Sequence, residues 1–419
     1  MFKLRTPRLP ESLPGGSFRI AFLALAGSVA LAMISIAASQ VLLGIALLAA
    51  LFTGGSGRLT ERIRLPFLMP LLLFFGWTVL AALVSSDPLL GLGIVRKFFL
   101  FLILFLVPWI GRGPTRILWA YRLIFAVAAV AGAAGILQYL ADPHRNLLHR
   151  ISGFMSHWMS YSGLLMLVLV ALSAYIMCIG FGKAAWSLPL GLMLILSLTL
   201  SLTRNAWFGA VVGLVVVLLL TRPQAIWGLS LILVLMLAVS PGKVRDRLRS
   251  GLDVSDDNTR NRIELFETSL RLIKDNPWFG VGPKNVNVEA LRYRGTQEFP
   301  DWMYQHMHNN FLQLAAERGL PGLALWLWLL ARMVWDAWCA YRTAARQALS
   351  DAARQEPREA LFAASASLGC CFALLAAGCF EYNFGDSEVL TLFLFTLAAP
   401  YAFLPKAEAP ASPAGPCGA

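Results

Sequence analysis

Apolar residues in this chain come in long continuous runs, not in alternation. The runs lie near 18–36, 38–54, 66–84, 90–110, 117–140 and 160–181, then 184–202, 205–221, 225–240, 311–340, 359–380 and 387–404. An α-helix needs roughly 20 apolar residues to cross about 30 Å of hydrocarbon. A membrane β-barrel would alternate apolar and polar positions instead. The pattern predicts an all-α, polytopic integral membrane protein of about twelve transmembrane helices, forming a single membrane domain over residues 1–419. The first run follows Lys3, Arg5, Arg8 and Arg19 without a small-residue cleavage site, so it reads as an uncleaved span.

The longest interruption covers residues 241–310, between the ninth and tenth runs. Within it, Ile263, Phe266, Leu270 and Ile273 recur at helical spacing, which predicts an amphipathic helix over 259–275. Asp256, Asp257 and Asn258 supply cap-type residues before it, and Asn276-Pro277 stops it. Gly280-Val281-Gly282-Pro283 then makes a turn. The apolar face of this helix is expected to rest on the membrane domain or the bilayer surface. Past the loop, Asn309 and Asn310 are cap residues for the next helix, which Gly319, Pro321 and Gly322 end or kink.

Composition agrees with the pattern. The chain is 58% hydrophobic and 14% charged, against about 25% charged in soluble domains, and its mean hydropathy is +0.66. The net charge of +12 does not require nucleic acid, because Lys and Arg collect in cytoplasmic loops of membrane proteins. Counting short loops places Arg58, Arg62, Arg64, Arg112, Arg116, Lys183, Arg222, Arg342, Arg346, Arg354 and Arg358 inside. Both termini are then cytoplasmic. The exceptions are Arg145, Arg150, Arg204 and the loop arginines, among them Arg245, Arg247, Arg249 and Arg262. Positive charge on the outer side points to an anionic partner there. The six cysteines, Cys178, Cys339, Cys370, Cys371, Cys379 and Cys417, show neither metal spacing nor a disulfide framework and read as packing residues.

No nucleotide-binding motif is present, and no His, Cys and carboxylate cluster has metal-ligand spacing, so no cofactor or metal is expected. His306 and His308 alternate, which alone is a weak metal signal. His308 stands where a helix should begin. The positive end of a helix dipole favours neutral imidazole, the form a general base requires. Arg204 and Arg262 offer fixed forks of donors suited to phosphate oxygens. Arg96 and Lys97 interrupt the fourth run, where ionisable groups are costly and tend to be functional. His157, Glu381, Asp386 and Glu388 lie at the outer ends of other spans.

Three stretches occur in order: Thr203-Arg204-Asn205-Ala206-Trp207; Asn261-Arg262 through Pro277-Trp278-Phe279-Gly280-Val281-Gly282; and His308-Asn309-Asn310-Phe311-Leu312-Gln313 followed by Glu317-Arg318-Gly319-Leu320-Pro321-Gly322. Together they resemble the O-antigen ligase / O-antigen polymerase superfamily of bacterial membrane glycosyltransferases. Gly153-Phe154-Met155-Ser156-His157-Trp158 and Phe380-Glu381-Tyr382-Asn383-Phe384-Gly385-Asp386 look more like the ligases. The resemblance implies an inner-membrane enzyme that moves O-antigen from undecaprenyl pyrophosphate to the lipid A–core oligosaccharide at the periplasmic face. It implies His308 as catalytic base, and Arg204 and Arg262 as pyrophosphate contacts. Lys97 and Arg96 would add to these contacts, with His157, His306 and Asp386 as acceptor-side or supporting groups. The 241–310 loop would be periplasmic.

Two enzyme alternatives share the same donor, an O-antigen polymerase and a protein O-oligosaccharyltransferase. A deletion strain separates the three. Polymer left on the lipid carrier marks a ligase, single repeats on the core mark a polymerase, and intact lipopolysaccharide marks a protein-directed enzyme. A transporter is the alternative of another class. It predicts broken helices at matching places in two halves, and no such internal similarity is evident.

Overall fold

Eleven of the apolar runs become helices in the computed structural model, which describes residues 16–53, 65–142, 150–228, 230, 257–295, 301–350 and 355–403. We number them α1 (Gly16–Leu31), α2 (Ile36–Phe52), α3 (Leu68–Val84), α4 (Pro88–Ile110), α5 (Pro114–Ala141), α6 (Trp158–Ile179), α7 (Leu188–Leu200) and α8 (Arg204–Thr221). Then come the loop helix α9 (Asp257–Asp275), α10 (Asn310–Ser350), α11 (Glu356–Ala377) and α12 (Ser387–Ala398). Among the described residues six helices, α4, α5, α6, α8, α10 and α11, are long and apolar enough to cross a bilayer, and five apolar helices are shorter. The protein is therefore a polytopic helical membrane protein. Most of the ninth predicted span, Arg145, Arg245, Arg247, Arg249 and Cys417 lie outside the described residues.

The bundle centres on α6, whose apolar surface is buried nearly all round, as befits a helix enclosed by others. Helices α8 and α11 pack on it, and on each other, through small residues. Gly209 and Gly213 of α8 and Gly369 of α11 leave no room for a Cβ, so the backbones approach closely. Cys178, Cys370 and Cys371 are buried here as packing residues, while Cys339 and Cys379 are exposed.

Helix α4 is wound as a 3₁₀ helix over Gly93–Leu102. Three residues per turn put Ile94, Lys97, Leu100 and Ile103 in one row. Ile94, Leu100 and Ile103 are buried and Arg96 is exposed, so this winding sends the two neighbouring cations to different sides.

Helix α9 forms over 257–275, at the expected helical spacing, but its faces divide in two. Leu265 and Leu272 enter a second small core with Val281, Met303, Tyr304 and Ala316 of α10. Ile263, Phe266 and Leu270 stay about half exposed on the protein alone, on the face available to a bilayer surface.

Helix α10 breaks at Gly319, where φ is +70°. Pro321 follows and has no N–H to continue the ladder. The Pro277–Gly282 turn docks into the break. Val281 N donates to Ala316 O at 2.9 Å, Gly282 N to Glu317 O at 3.1 Å, and Leu320 N to Pro277 O at 2.8 Å. Buried backbone groups freed by the kink thus find partners. Trp77 Nε1 adds a bond to Arg318 O at 2.8 Å. A Cβ at Gly319 would clash with Trp278 O. Gly319→Ala combines that clash with a left-handed backbone and is expected to destabilise the protein by about 2–5 kcal/mol. The thermal unfolding midpoint in detergent measures this; an unchanged midpoint would show that the break is not fixed by Gly319.

Candidate active site

The N-termini of α6, α8, α10 and α12 open onto one cavity of about 940 Å³, lined by His157, Arg204, His308 and Asp386 among others. Each terminus contributes the positive end of a dipole, an arrangement suited to anions. The chain builds these ends in different ways. His157 caps α6, its Nδ1 accepting from Met159 N at 3.2 Å. Leu202, at φ +53°, turns the α7–α8 hairpin so that Arg204 becomes the first residue of α8. Asn309 caps α10, its Oδ1 accepting from Phe311 N at 2.8 Å and Leu312 N at 3.0 Å. Asn310, expected as a second cap, is instead buried, with its N–H donating to Gly378 O at 2.7 Å and its Oδ1 accepting from Phe384 N at 3.1 Å.

His308 sits just before that cap with φ +44°, a left-handed conformation uncommon for a residue with a Cβ. A hydrogen-bond chain holds it there. Met307 N donates to Gln313 Oε1 at 2.7 Å, and Gln313 Nε2 to Glu317 Oε1 at 3.0 Å. Glu317 in turn pairs with buried Arg318 at the kink. Strain of this sort persists where surrounding structure over-determines it, and clusters at functional sites.

Glu381 follows α11 and is 4% exposed. Its oxygens lie 3.1 and 3.0 Å from His308 Nδ1. Burial pushes its carboxyl up, but the His308 hydrogen bond and the charges of His308 and His306 overcome this and hold it down at about 2. An ionised carboxylate at Nδ1 fixes that nitrogen as the N–H and leaves Nε2 as the acceptor. His306 packs against His308 with ring centroids 4.1 Å apart and the rings tilted by 59°. Burial first, then the neighbouring His308, lowers its pKa to about 4.

Arg262 projects from α9 to stand 6.0 Å over the Phe380 ring. Burial and nearby Arg204 lower its pKa, opposed by Glu381. Arg150, noted in the sequence only as a charge on the wrong side, belongs to the same group. Burial lowers its pKa, and Arg204 and Arg262 lower it further. Three guanidiniums close enough to disfavour one another are stabilised by an anion among them.

The other sequence candidates divide. Lys97 Nζ donates to Gly385 O behind the cavity wall. Arg96 bonds Gly93 O at 3.5 Å, is exposed, and lines neither cavity described here; the 3₁₀ winding separates it from Lys97. Asp386 accepts from Ser160 Oγ at 3.0 Å. Burial raises its carboxyl to about 7, helped by Glu381 and Glu388 and opposed by the Ser160 bond and Lys97. Its charge therefore appears as pH rises through about 7, in the cavity that the arginines also line. The KM for an anionic substrate is expected to rise above that pH, and Asp386→Asn to remove the rise. A KM–pH profile unchanged by the substitution would sink this role.

Arg204, Arg262 and His308 also line a second cavity of about 620 Å³, whose other walls include Phe208, Ile263, Phe266 and Phe380. The three candidates thus stand where a polar chamber meets an apolar one. Glu381 was visible in the sequence only as an acid at a span end. Its signal was its place in the Phe380–Asp386 stretch, but nothing there said which histidine it would meet.

Fold and site together define a multi-pass helical membrane protein whose helix N-termini, arginines and a His–Glu pair face one cavity. Residues 189–327 match the family model for O-antigen ligase. The matched segment runs from α7 into α10 and contains Arg204, Arg262 and His308, but not Glu381 or Asp386. No curated protein matches the chain.

Proposed function

We propose that this protein transfers O-antigen polysaccharide from undecaprenyl pyrophosphate to the lipid A–core oligosaccharide at the periplasmic face of the inner membrane. The observation that carries the reading is the junction of the two cavities at Arg204, Arg262 and His308. Such a donor is apolar at one end, dianionic in the middle and polar at the other. The apolar chamber suits the prenyl chain, the arginines the pyrophosphate, and the polar chamber the sugars and the acceptor.

The chemistry needs little more. Pyrophosphate is already an activated leaving group, so no nucleotide is required. The arginines and helix ends neutralise charge building on the departing diphosphate, a term that often dominates catalysis. His308 Nε2 takes the proton from the acceptor hydroxyl as that oxygen attacks the anomeric carbon and the bond to phosphate breaks. Direct displacement inverts the anomeric centre. His157 and Asp386, on the polar side, are placed for the acceptor.

The test is transfer by purified protein from lipid-linked O-antigen to lipid A–core, with EDTA present and no added energy source. We expect transfer with inversion, and a loss of about 10²–10³-fold in Arg204→Ala. Retention of anomeric configuration, or transfer unaffected by Arg204→Ala, would overturn the mechanism.

A further inference from the structure

His306, His308 and Glu381 each offer one donor atom, and all three atoms lie within 4.8 Å of one another. The Glu381 oxygens are 3.0 Å from His308 Nδ1 and 3.8 Å from His306 Nδ1. Bonds of about 2.0–2.2 Å to a tetrahedral metal would separate ligand atoms by about 3.4 Å, between those two distances. His306 Nδ1 is buried and has no hydrogen-bond partner among the described residues. A buried polar atom without a partner is rare in folded proteins and calls for an explanation. A bound cation would satisfy it.

We propose that these three residues form an inhibitory site for a borderline divalent transition cation, with Zn2+ as its representative. Two imidazole nitrogens and one carboxylate oxygen suit Zn2+, Ni2+ or Cu2+; Mg2+ and Ca2+ prefer all-oxygen sets. Among the described residues three protein donors converge, and they line the large cavity, so the fourth position faces the cavity.

Inhibition follows from the tautomer, and this step rests on His308 acting as base in the reaction proposed above. In the metal-free site His308 Nδ1–H donates to Glu381, and Nε2 carries the free lone pair. Metal binding takes the Nδ1 lone pair, so the ring proton must move to Nε2. The ring then presents an N–H where the acceptor hydroxyl needs a lone pair, and Glu381 is drawn from its hydrogen bond to the metal. Both changes switch the base off with only small side-chain shifts.

Chelator-stripped full-length protein in detergent, titrated with ZnCl2 by calorimetry, should bind one equivalent. Co2+ should give the visible absorption of a low-coordinate site. His306→Gln and Glu381→Gln should each lose this binding while eluting as the folded protein does. In the transfer assay Zn2+ should inhibit, EDTA should reverse it, and His306→Gln should raise the half-inhibiting Zn2+ concentration by about tenfold or more. Absence of stoichiometric binding in the wild type, binding retained in both variants, or activation by Zn2+ would overturn the proposal. The two readings fail separately. Zn2+ binding without any transfer activity leaves the cation site standing and removes the reaction, and transfer without Zn2+ binding does the reverse.

Discussion

His308→Ala is expected to lower kcat for glycan transfer by about 10²–10⁴-fold, the range a positioned general base contributes, with little change in KM for the lipid-linked donor. The ring supplies the acceptor, Nε2, that Glu381 leaves free. In the proposed reaction donor binding rests on Arg204, Arg262 and the helix ends, which the substitution leaves in place. The left-handed backbone at His308, φ +44°, complicates the alanine variant, because Ala is strained there. Asn tolerates that conformation better and its amide is not basic. His308→Asn should therefore fold at least as well as the alanine variant and be as inactive. Wild-type-like transfer by either variant would rule the base out.

Glu381→Gln carries the second large effect. The carboxylate only accepts hydrogen bonds, so it selects the Nδ1–H tautomer of His308. A glutamine can turn its NH2 toward Nδ1 and stabilise the opposite tautomer, with the proton on Nε2. The fall in kcat is expected to be about 10³-fold or more, by analogy with loss of the orienting carboxylate in a Ser-His-Asp triad. Glu381 is a positioning residue in this account, so kcat should fall while KM for the donor holds, and Glu381→Asp should recover part of the rate. Acid stability gives an independent reading. The folded carboxyl is held at about 2, below its usual 4.5. Its contribution to stability is full above about pH 4.5 and is lost as pH falls through about 2. The glutamine variant should lack that part of the acid transition. Equal acid unfolding curves and equal kcat would together dismiss the dyad.

Arg204 could be singled out from the sequence as an exception to the charge bias of the short loops, and Arg262 by its place in a stretch that resembles the O-antigen ligase / O-antigen polymerase superfamily. Their convergence could not, since α8 and α9 are separated by residues that say nothing of where the loop returns. Arg96 and Lys97 show the opposite limit. Read as adjacent charges they look like one feature; the 3₁₀ winding of α4 turns one outward and the other toward Gly385. On α9 the spacing of Ile263, Phe266 and Leu270 gave the helix but not its packing, because Leu265 and Leu272 are the residues the second core takes.

The sequence by itself determined the class of the protein, its membrane helices and its amphipathic loop helix. Apolar run length and periodicity are local properties, and the bilayer and the helix geometry read them directly. The sequence also carried a family resemblance, through motifs that lie in the matched segment. Only the tertiary structure decided what stands beside His308. Glu381 lies 73 residues away, and its meeting with His308 depends on how α10 and α11 pack and on the Asn310 bonds that tie their ends together. A hydrogen bond of about 3 Å is fixed by the sum of those contacts, and no local pattern encodes it.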